Sequence, residues 1–316
     1  MKTLLTGATG FVGRSLLLHL HDAGHDCIAV SREVTVMESG VVTLPVGDMN
    51  NATDWNSLLD GVECVIHLAA RAHLLRDRAA DPQQAFDEVN FHATMNLVRQ
   101  AEAAGVKRFV YVSSIGVHGA FTTGHSFTES STLDPHSPYA KSKLKAEEGI
   151  RRYLEGRSME WVIVRPPLIY AANAPGNFQL LLRLVETGLP LPFAGVHNAR
   201  TMVALENIVD FLVQCAVHPR AARQVFVISD NADCSIGKIV ETLAQGMGKR
   251  VKLFRIPPRV VRWGATLIGR QSTYVQLYES LRVDSTKARS LLDWQPVINT
   301  HDALLNAGRL FHFGTR

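Results

Sequence analysis

Tyr139 stands 25 positions after Ser114 and four before Lys143. Together these residue types could move a proton to or from the oxygen of a carbinol or carbonyl. On a helix, residues four apart share a face, so the Lys143 ammonium can lie beside the Tyr139 phenol and favour its phenolate. Tyr139 is then the general acid or base, and Ser114 gives or takes the hydrogen bond to the substrate oxygen. A Tyr and a Lys at this spacing are by themselves more often a surface pair. The pair gains weight because Ser113 and Ser114 close the apolar run Phe109-Val110-Tyr111-Val112 and a glycine turn opens the chain.

That turn follows Thr3-Leu4-Leu5 and reads Thr6, Gly7, Ala8, Thr9, Gly10, Phe11, Val12, Gly13, with a helical pattern beginning near Phe11. Gly7 suits the tight turn, Gly10 the approach of backbone to a pyrophosphate, and Gly13 the close packing of helix on strand. The expected ligand is a dinucleotide. An acid at the end of the second strand accepts ribose hydroxyls, whereas an arginine there accommodates a 2′-phosphate. Here that strand ends in Ser31 and Arg32, with Glu33 one position later. Ser31 and Arg32 can hold a phosphate through charge-assisted hydrogen bonds. NADP(H) is therefore favoured over NAD(H), the competing role for Arg32 being to stack on adenine or point into water.

The elements that must position these residues alternate in a regular way. Strands are expected near 2–6, 26–30, 41–46, 63–68, 108–113 and 160–165, and helices over 11–23, 82–104 and 137–155. Such alternation gives a parallel sheet covered by helices on both faces, with ligands outside its carboxyl edge. From Pro166 onward proline and glycine cluster and the alternation breaks, which predicts a smaller lobe whose segments interleave with the sheet. With 46% hydrophobic and 20% charged residues the chain can bury a large core. Its four cysteines, at 27, 64, 215 and 234, have neither disulfide-scaffold nor zinc spacing, so a reducing cytoplasm is expected and no metal. A net charge of +4 is too small to require nucleic acid. The opening MKTLLTGATGFVG reads as a strand start and not a secretion signal, and no apolar run reaches the roughly 20 residues of a membrane span.

These motifs make the chain resemble an extended short-chain dehydrogenase/reductase of the nucleotide-sugar epimerase and dehydratase type. The resemblance spans the TGxxGxxG turn, GDM at 47–49, HLAA at 67–70, the Asn90 segment, SSIGVHG at 113–119, YAKSK at 139–143 and RPPLIY at 165–170. It implies a Rossmann-type doubly wound α/β fold, with a dinucleotide-binding domain over 1–167, joined again by segments near 200–230, and a substrate lobe over 168–316. It also implies that Asp48 and Met49 hold adenine and that Leu68, Ala69 and Ala70 line the dinucleotide. Asn90 orders the site, and Pro166 and Leu168 lie against nicotinamide. Ser114, Tyr139 and Lys143 are then catalytic, with Lys143 binding nicotinamide ribose and depressing the Tyr139 pKa. Asn177 and Arg200 align with positions that bind the sugar-nucleotide diphosphate, although Asn177 is equally suited to cap the helix that follows it. Asp284 is expected to cap a late helix and Trp294 to pack.

The departures are informative. Typical 4-epimerases carry an aspartate where Ser31 stands and an asparagine where Leu168 stands. They often have a second phosphate arginine where this chain offers only Tyr274 and Gln276. The pattern, including the block at 198–209, is closer to a subgroup found with bacterial surface-polysaccharide genes (O-antigen and lipopolysaccharide). The leading expectation is NADPH-dependent reduction of a UDP-4-keto-6-deoxy-N-acetylhexosamine. The alternatives are a UDP-glucose or UDP-N-acetylglucosamine type 4-epimerase that recycles NAD and, remotely, a silent NADP-binding regulator. A homodimer through the helices at 82–104 and 137–155 is implied by resemblance. The basic and apolar stretch at 258–270 is read first as a lid helix packed on the substrate lobe, and second as a surface that touches a membrane.

Overall fold

The computed structural model describes residues 1–37, 40–72 and 81–314. The strands, in chain order, are β1 (Lys2–Thr6), β2 (Asp26–Ser31), β3 (Thr35–Val36), β4 (Val42–Pro45), β5 (Cys64–His67), β6 (Arg108–Val112), β7 (Glu160–Arg165), β8 (Leu168–Tyr170), β9 (Arg200–Ala204), β10 (Gln224–Val227) and β11 (Asp233–Cys234). The helices are α1 (Phe11–Asp22), α2 (Pro82–Asp87), α3 (Thr94–Ala103), α4 (Pro138–Tyr153), α5 (Asn177–Glu186), α6 (Leu205–Val217), α7 (Ile236–Gly246), α8 (Pro258–Leu267), α9 (Gln271–Tyr278), α10 (Thr286–Leu292) and α11 (Thr300–Phe313). One sheet of eight strands has the order β10-β7-β6-β5-β1-β2-β4-β3, and a second has the order β11-β9-β8. In the large sheet every pairing is parallel except β3 with β4, an antiparallel edge that the sequence pattern did not disclose.

Strand periodicity explains the layers. Consecutive side chains point to opposite faces, so Leu5, Ile66, Val110 and Val164 join α1, α6 and α10 on one face. Leu4, Val65, Phe109 and Ile163 join α3 and α4 on the other. Because both faces are covered, the strands read as apolar runs and not as alternating ones. A separate cluster fills the space among α5, α7 and α11. There α7 and α11 cross at contact distance: a Cβ on Gly246 would lie 2.2 Å from the Leu305 carbonyl oxygen, and one on Gly308 would lie 2.3 Å from that of Leu243.

Segments after β7 return to the large sheet. Strand β10 pairs with β7, and α6 buries Ile208, Phe211 and Leu212 against the sheet. The buried Asp230 carboxylate joins the two parts: it accepts from Tyr170 Oη at 2.7 Å, the Ala204 amide at 2.8 Å and Asn207 Nδ2 at 2.6 Å. Trp294 packs edge-on against Phe211, and Asp284 accepts the Thr286 amide at the start of α10.

The expected helix over 82–104 is interrupted. Between α2 and α3 lies a π-helical segment, Glu88–Ala93, which contains Asn90. Hydrophobic periodicity cannot reveal this, because a single π turn shifts the register without changing which residues are apolar.

Candidate active site

Since β1, β2, β5, β6 and β7 run parallel, their carboxyl ends share one edge. The glycine turn follows β1, Arg32 follows β2, Leu68, Ala69 and Ala70 follow β5, Ser113 and Ser114 follow β6, and Pro166 follows β7. Residues predicted from distant parts of the sequence therefore come together along one edge of the sheet. The turn itself is tightly built. Gly7 has φ of +71°, and a Cβ there would lie 2.8 Å from the Ala69 amide nitrogen. A Cβ on Gly13 would lie 2.0 Å from the Gly7 carbonyl oxygen. Helix α1 starts from Gly10 with no side-chain cap and no acid in its first turn. Its leading amide N–H groups thus face outward with the positive end of the helix dipole, a cradle that fits a pyrophosphate. Thr9, Phe11 and Val12 complete this segment, and the Thr9 carbonyl is anchored by Arg14 Nε at 2.9 Å. Gly13→Ala is expected to weaken dinucleotide binding more than tenfold by displacing the turn. Fluorescence titration with NADH and NADPH checks this, and unchanged affinity would show that the turn can yield.

Under this turn lies a buried chain of polar groups to which sequence reasoning assigned no role. One His67 ring nitrogen meets Thr6 Oγ1 at 2.7 Å and the other meets Thr94 Oγ1 at 2.9 Å, while the Ala69 amide donates to Thr6 Oγ1 at 3.3 Å. Burial pushes the His67 pKa down to about 3, with the Lys143 charge adding to the effect. The ring is therefore a neutral strut. The histidine of HLAA was visible as a motif, but its partners at 6 and 94 were not.

At the second strand end the geometry separates two residues that the sequence pairs. Ser31 is buried: its hydroxyl donates to the Glu33 carbonyl and shares a hydrogen bond with Thr43. To bind a phosphate, as expected, it would have to exchange these bonds. Arg32 is exposed, and its Nη1 lies 3.9 Å from the Asp48 carboxylate. Asp48 is exposed beside it and Met49 is partly buried against the sheet.

The catalytic candidates lie on adjoining elements. Ser137 caps α4 by accepting the Ala140 amide, which sets Tyr139 and Lys143 in the first two turns. Ser114 accepts the Gly116 amide at 3.1 Å, leaving its hydroxyl hydrogen for another acceptor. A Cβ on Gly116 would lie 3.3 Å from Ser114 Oγ and 3.6 Å from Ala140 Cβ, so the serine turn abuts α4 beside Tyr139. Asn90 reaches the same place. It accepts the Arg71 amide at 2.8 Å and donates to the Arg71 carbonyl at 3.1 Å and to Ser142 Oγ at 2.9 Å, and Ser142 in turn donates to the Tyr139 carbonyl at 2.8 Å. Asn90 thereby fastens the chain after Ala70 to the tyrosine helix.

The expected depression of the Tyr139 pKa by Lys143 does not occur in this arrangement. Lys143 Nζ donates to the Val112 carbonyl at 2.7 Å and lies 4.6 Å from the Tyr111 ring centroid against 6.0 Å for Tyr139. Burial dominates, raising Tyr139 to about 12 and lowering Lys143 to about 7, the latter partly opposed by Glu147. For Lys143 the ordinary value is 10.5, so between pH 7 and 10.5 the unfolded chain holds a proton that the folded chain has released. Stability should rise with pH across that window, by up to about 1.4 kcal/mol per pH unit. Below pH 7 the buried ammonium is carried as a full cost. Thermal unfolding of Lys143→Met should lack this part of the slope, and an identical slope in both proteins would contradict it.

Glu147, one turn beyond Lys143, forms a buried ion pair that sequence reasoning missed. Arg165 Nε lies 3.1 Å and Nη2 2.5 Å from its carboxylate, and Arg165 Nη1 lies 2.9 Å from His118 Nε2. This pair locks the tyrosine helix to the end of β7, next to Pro166. Nothing local signals it, since Arg165 lies 18 positions beyond Glu147.

Predicted substrate residues approach a single segment. Asn177 is the first residue of α5 and not its cap, a position taken by Gly176 with φ of +71°. The capping expectation is corrected, since Asn177 Nδ2 donates instead to Gln276 Oε1 at 2.7 Å. Arg200 Nη1 donates to the Glu279 carbonyl at 3.3 Å, and burial lowers its pKa to about 10. Both residues therefore touch α9 or its end. Leu168 is exposed on β8.

Residues 3–229 match the model of the NAD dependent epimerase/dehydratase family. The chain is 37% identical over 295 residues to a UDP-glucose 4-epimerase of Vibrio cholerae, covering 93% of this chain and 90% of that protein. It is 27% identical over 258 residues to the N-acetyl-alpha-D-glucosaminyl-diphospho-ditrans,octacis-undecaprenol 4-epimerase of Escherichia coli O157:H7, covering 81% and 75%. The solved UDP-glucose 4-epimerase of Thermotoga maritima, with UDP-glucose, superposes with a TM-score of 0.78 at 18% identity over the whole of both chains.

Proposed function

This chain belongs to the NAD dependent epimerase/dehydratase family, and on that premise we propose that it is a 4-epimerase of UDP-linked sugars. The carrying observation is the meeting of the glycine turn, the Ser114 turn and the Tyr139 helix at one sheet edge. The Vibrio cholerae relative supports the 4-epimerase direction. A nicotinamide dinucleotide, when bound, accepts hydride from a carbinol carbon and returns it. Gly10 and the leading amides of α1 would hold its pyrophosphate, with Gly7 and Gly13 shaping the turn, and Lys143 would face its ribose. Ser114 donates its free hydroxyl hydrogen to the substrate C4 oxygen, and Tyr139 exchanges a proton with that oxygen through Oη. Arg200 and Asn177 bind the diphosphate, the arginine by its planar fork, once their bonds to the 276–279 segment are exchanged for phosphate oxygens.

A specific observation favours a second reading, reduction of a 4-keto sugar nucleotide by NADPH: Arg32 presents an exposed guanidinium at the tip of β2, where no carboxylate precedes it. With purified protein and no added cofactor, NMR should show UDP-glucose and UDP-galactose, or their N-acetylamino counterparts, interconverting. Stoichiometric loss of NADPH with a UDP-4-keto-6-deoxysugar and no interconversion would replace the epimerase by the reductase. Inactivity in both assays would overturn both.

A further inference from the structure

The basic charge of this chain is concentrated in one place. Residues 242–278 contain seven Lys and Arg and no Asp or Glu, whereas the remaining 279 residues carry 26 basic and 29 acidic side chains. The whole positive balance thus belongs to one stretch. At its centre is α8, none of whose residues is buried and whose packed neighbour is α9. Helix α8 packs on α9 of the substrate lobe with Val261 and Ala265 half-buried, but much of its apolar surface stays uncovered. Val260, Trp263 and Leu267 follow one another at i, i+3 and i+7 and are 57%, 68% and 66% exposed, and Ile268 just beyond is 73% exposed. Arg255, Arg259, Arg262 and Arg270 are all exposed around this strip.

We propose that α8 docks this protein on a bilayer bearing anionic headgroups. The apolar strip enters the interfacial zone, with Trp263 at headgroup depth, and the arginines meet lipid phosphates. The commitment to lipid rests on charge and shape together. An exposed tryptophan and leucine on a short helix flanked by arginines has the pattern of an interfacial helix, in which buried apolar area and attraction to anionic lipid add. A second copy of the chain is a poor occupant, because a two-fold contact would set the four exposed arginines of this net-positive stretch against themselves. The patch also adjoins the substrate lobe. Helix α9 follows α8 after three residues and carries Gln276, which holds Asn177. Docking at α8 would place that lobe at the bilayer surface.

Cosedimentation of the full chain with vesicles of phosphatidylcholine, with and without phosphatidylglycerol, tests this. The expected result is binding to the anionic vesicles that weakens with added salt. Arg259→Gln/Arg262→Gln should lose about fivefold in partitioning for each charge removed, and Trp263→Ser/Leu267→Ser should lose at least as much while melting at the wild-type temperature, since both side chains are exposed. Wild-type protein that stays in the supernatant at low salt would overturn the proposal, as would variants that bind as well as wild type. A halved mass of Trp263→Ser/Leu267→Ser in light scattering would assign the strip to a second copy and overturn it too.

Discussion

Tyr139→Phe is expected to lower kcat by about 10²–10⁴-fold, the usual worth of a positioned proton donor or acceptor, with little change in dinucleotide affinity. The substitution removes one oxygen and leaves the ring, which packs edge-on to Phe86 at 6.1 Å. The capped α4 and the Asn90-Ser142 link to the Tyr139 backbone are also untouched. Loss of turnover at preserved binding would mark a group that acts in the reaction and not in assembly of the site. Burial raises the Tyr139 phenol to about 12, so the epimerase reaction, whose first half takes a proton from the C4 carbinol, requires the bound dinucleotide and Lys143 to lower it. Steady-state kinetics with the active substrate pair, beside an NADH titration, checks the prediction. Turnover within twofold of wild type would remove Tyr139 from the proton transfer.

Arg165→Met carries the largest expected effect on stability. The Arg165 and Glu147 side chains are 3% and 2% exposed. Truncating one partner of such a pair leaves an uncompensated buried charge, a loss of about 3–5 kcal/mol. For a chain of this size that lowers Tm by about 5–8 °C. His118 also loses its contact with Nη1. Replacing both partners in Arg165→Met/Glu147→Met should recover much of the stability, since two apolar side chains need no counter-ion. It should not recover activity, because Lys143 and Pro166 lose the bond that aligns α4 with β7. Calorimetry on the two single variants and the double variant checks this, and strictly additive losses would show that the pair is not coupled. Stable variants with full turnover would remove the pair from positioning the site.

Much of the site was legible because it is local. Gly7, Gly10 and Gly13 mark a strand-to-helix turn within eight residues, and Tyr139 with Lys143 marks a helix face within five. Apart from β3 and the π segment that splits the 82–104 helix, the strand and helix expectations through residue 165 agree with the observed elements to within a few residues, since apolar runs and helical periodicity survive in any environment that buries them. The smaller lobe was less legible. Its elements are short, its core is shared among α5, α7 and α11, and its polar contacts join residues such as Asn177 and Gln276 that lie 99 positions apart.

The sequence by itself determined the parallel sheet, the glycine turn and the Tyr139–Lys143 helix face, because each is written in residue types at fixed short spacing. Tertiary structure alone decided which of the named polar groups are available for chemistry. It committed the Ser31 hydroxyl to Thr43, turned the Lys143 ammonium to the Val112 carbonyl, gave Arg165 to Glu147, and left the apolar strip of α8 uncovered. The physical reason is desolvation: whether a polar or charged group is spent inside the protein or free to meet a ligand depends on partners brought to it from far along the chain.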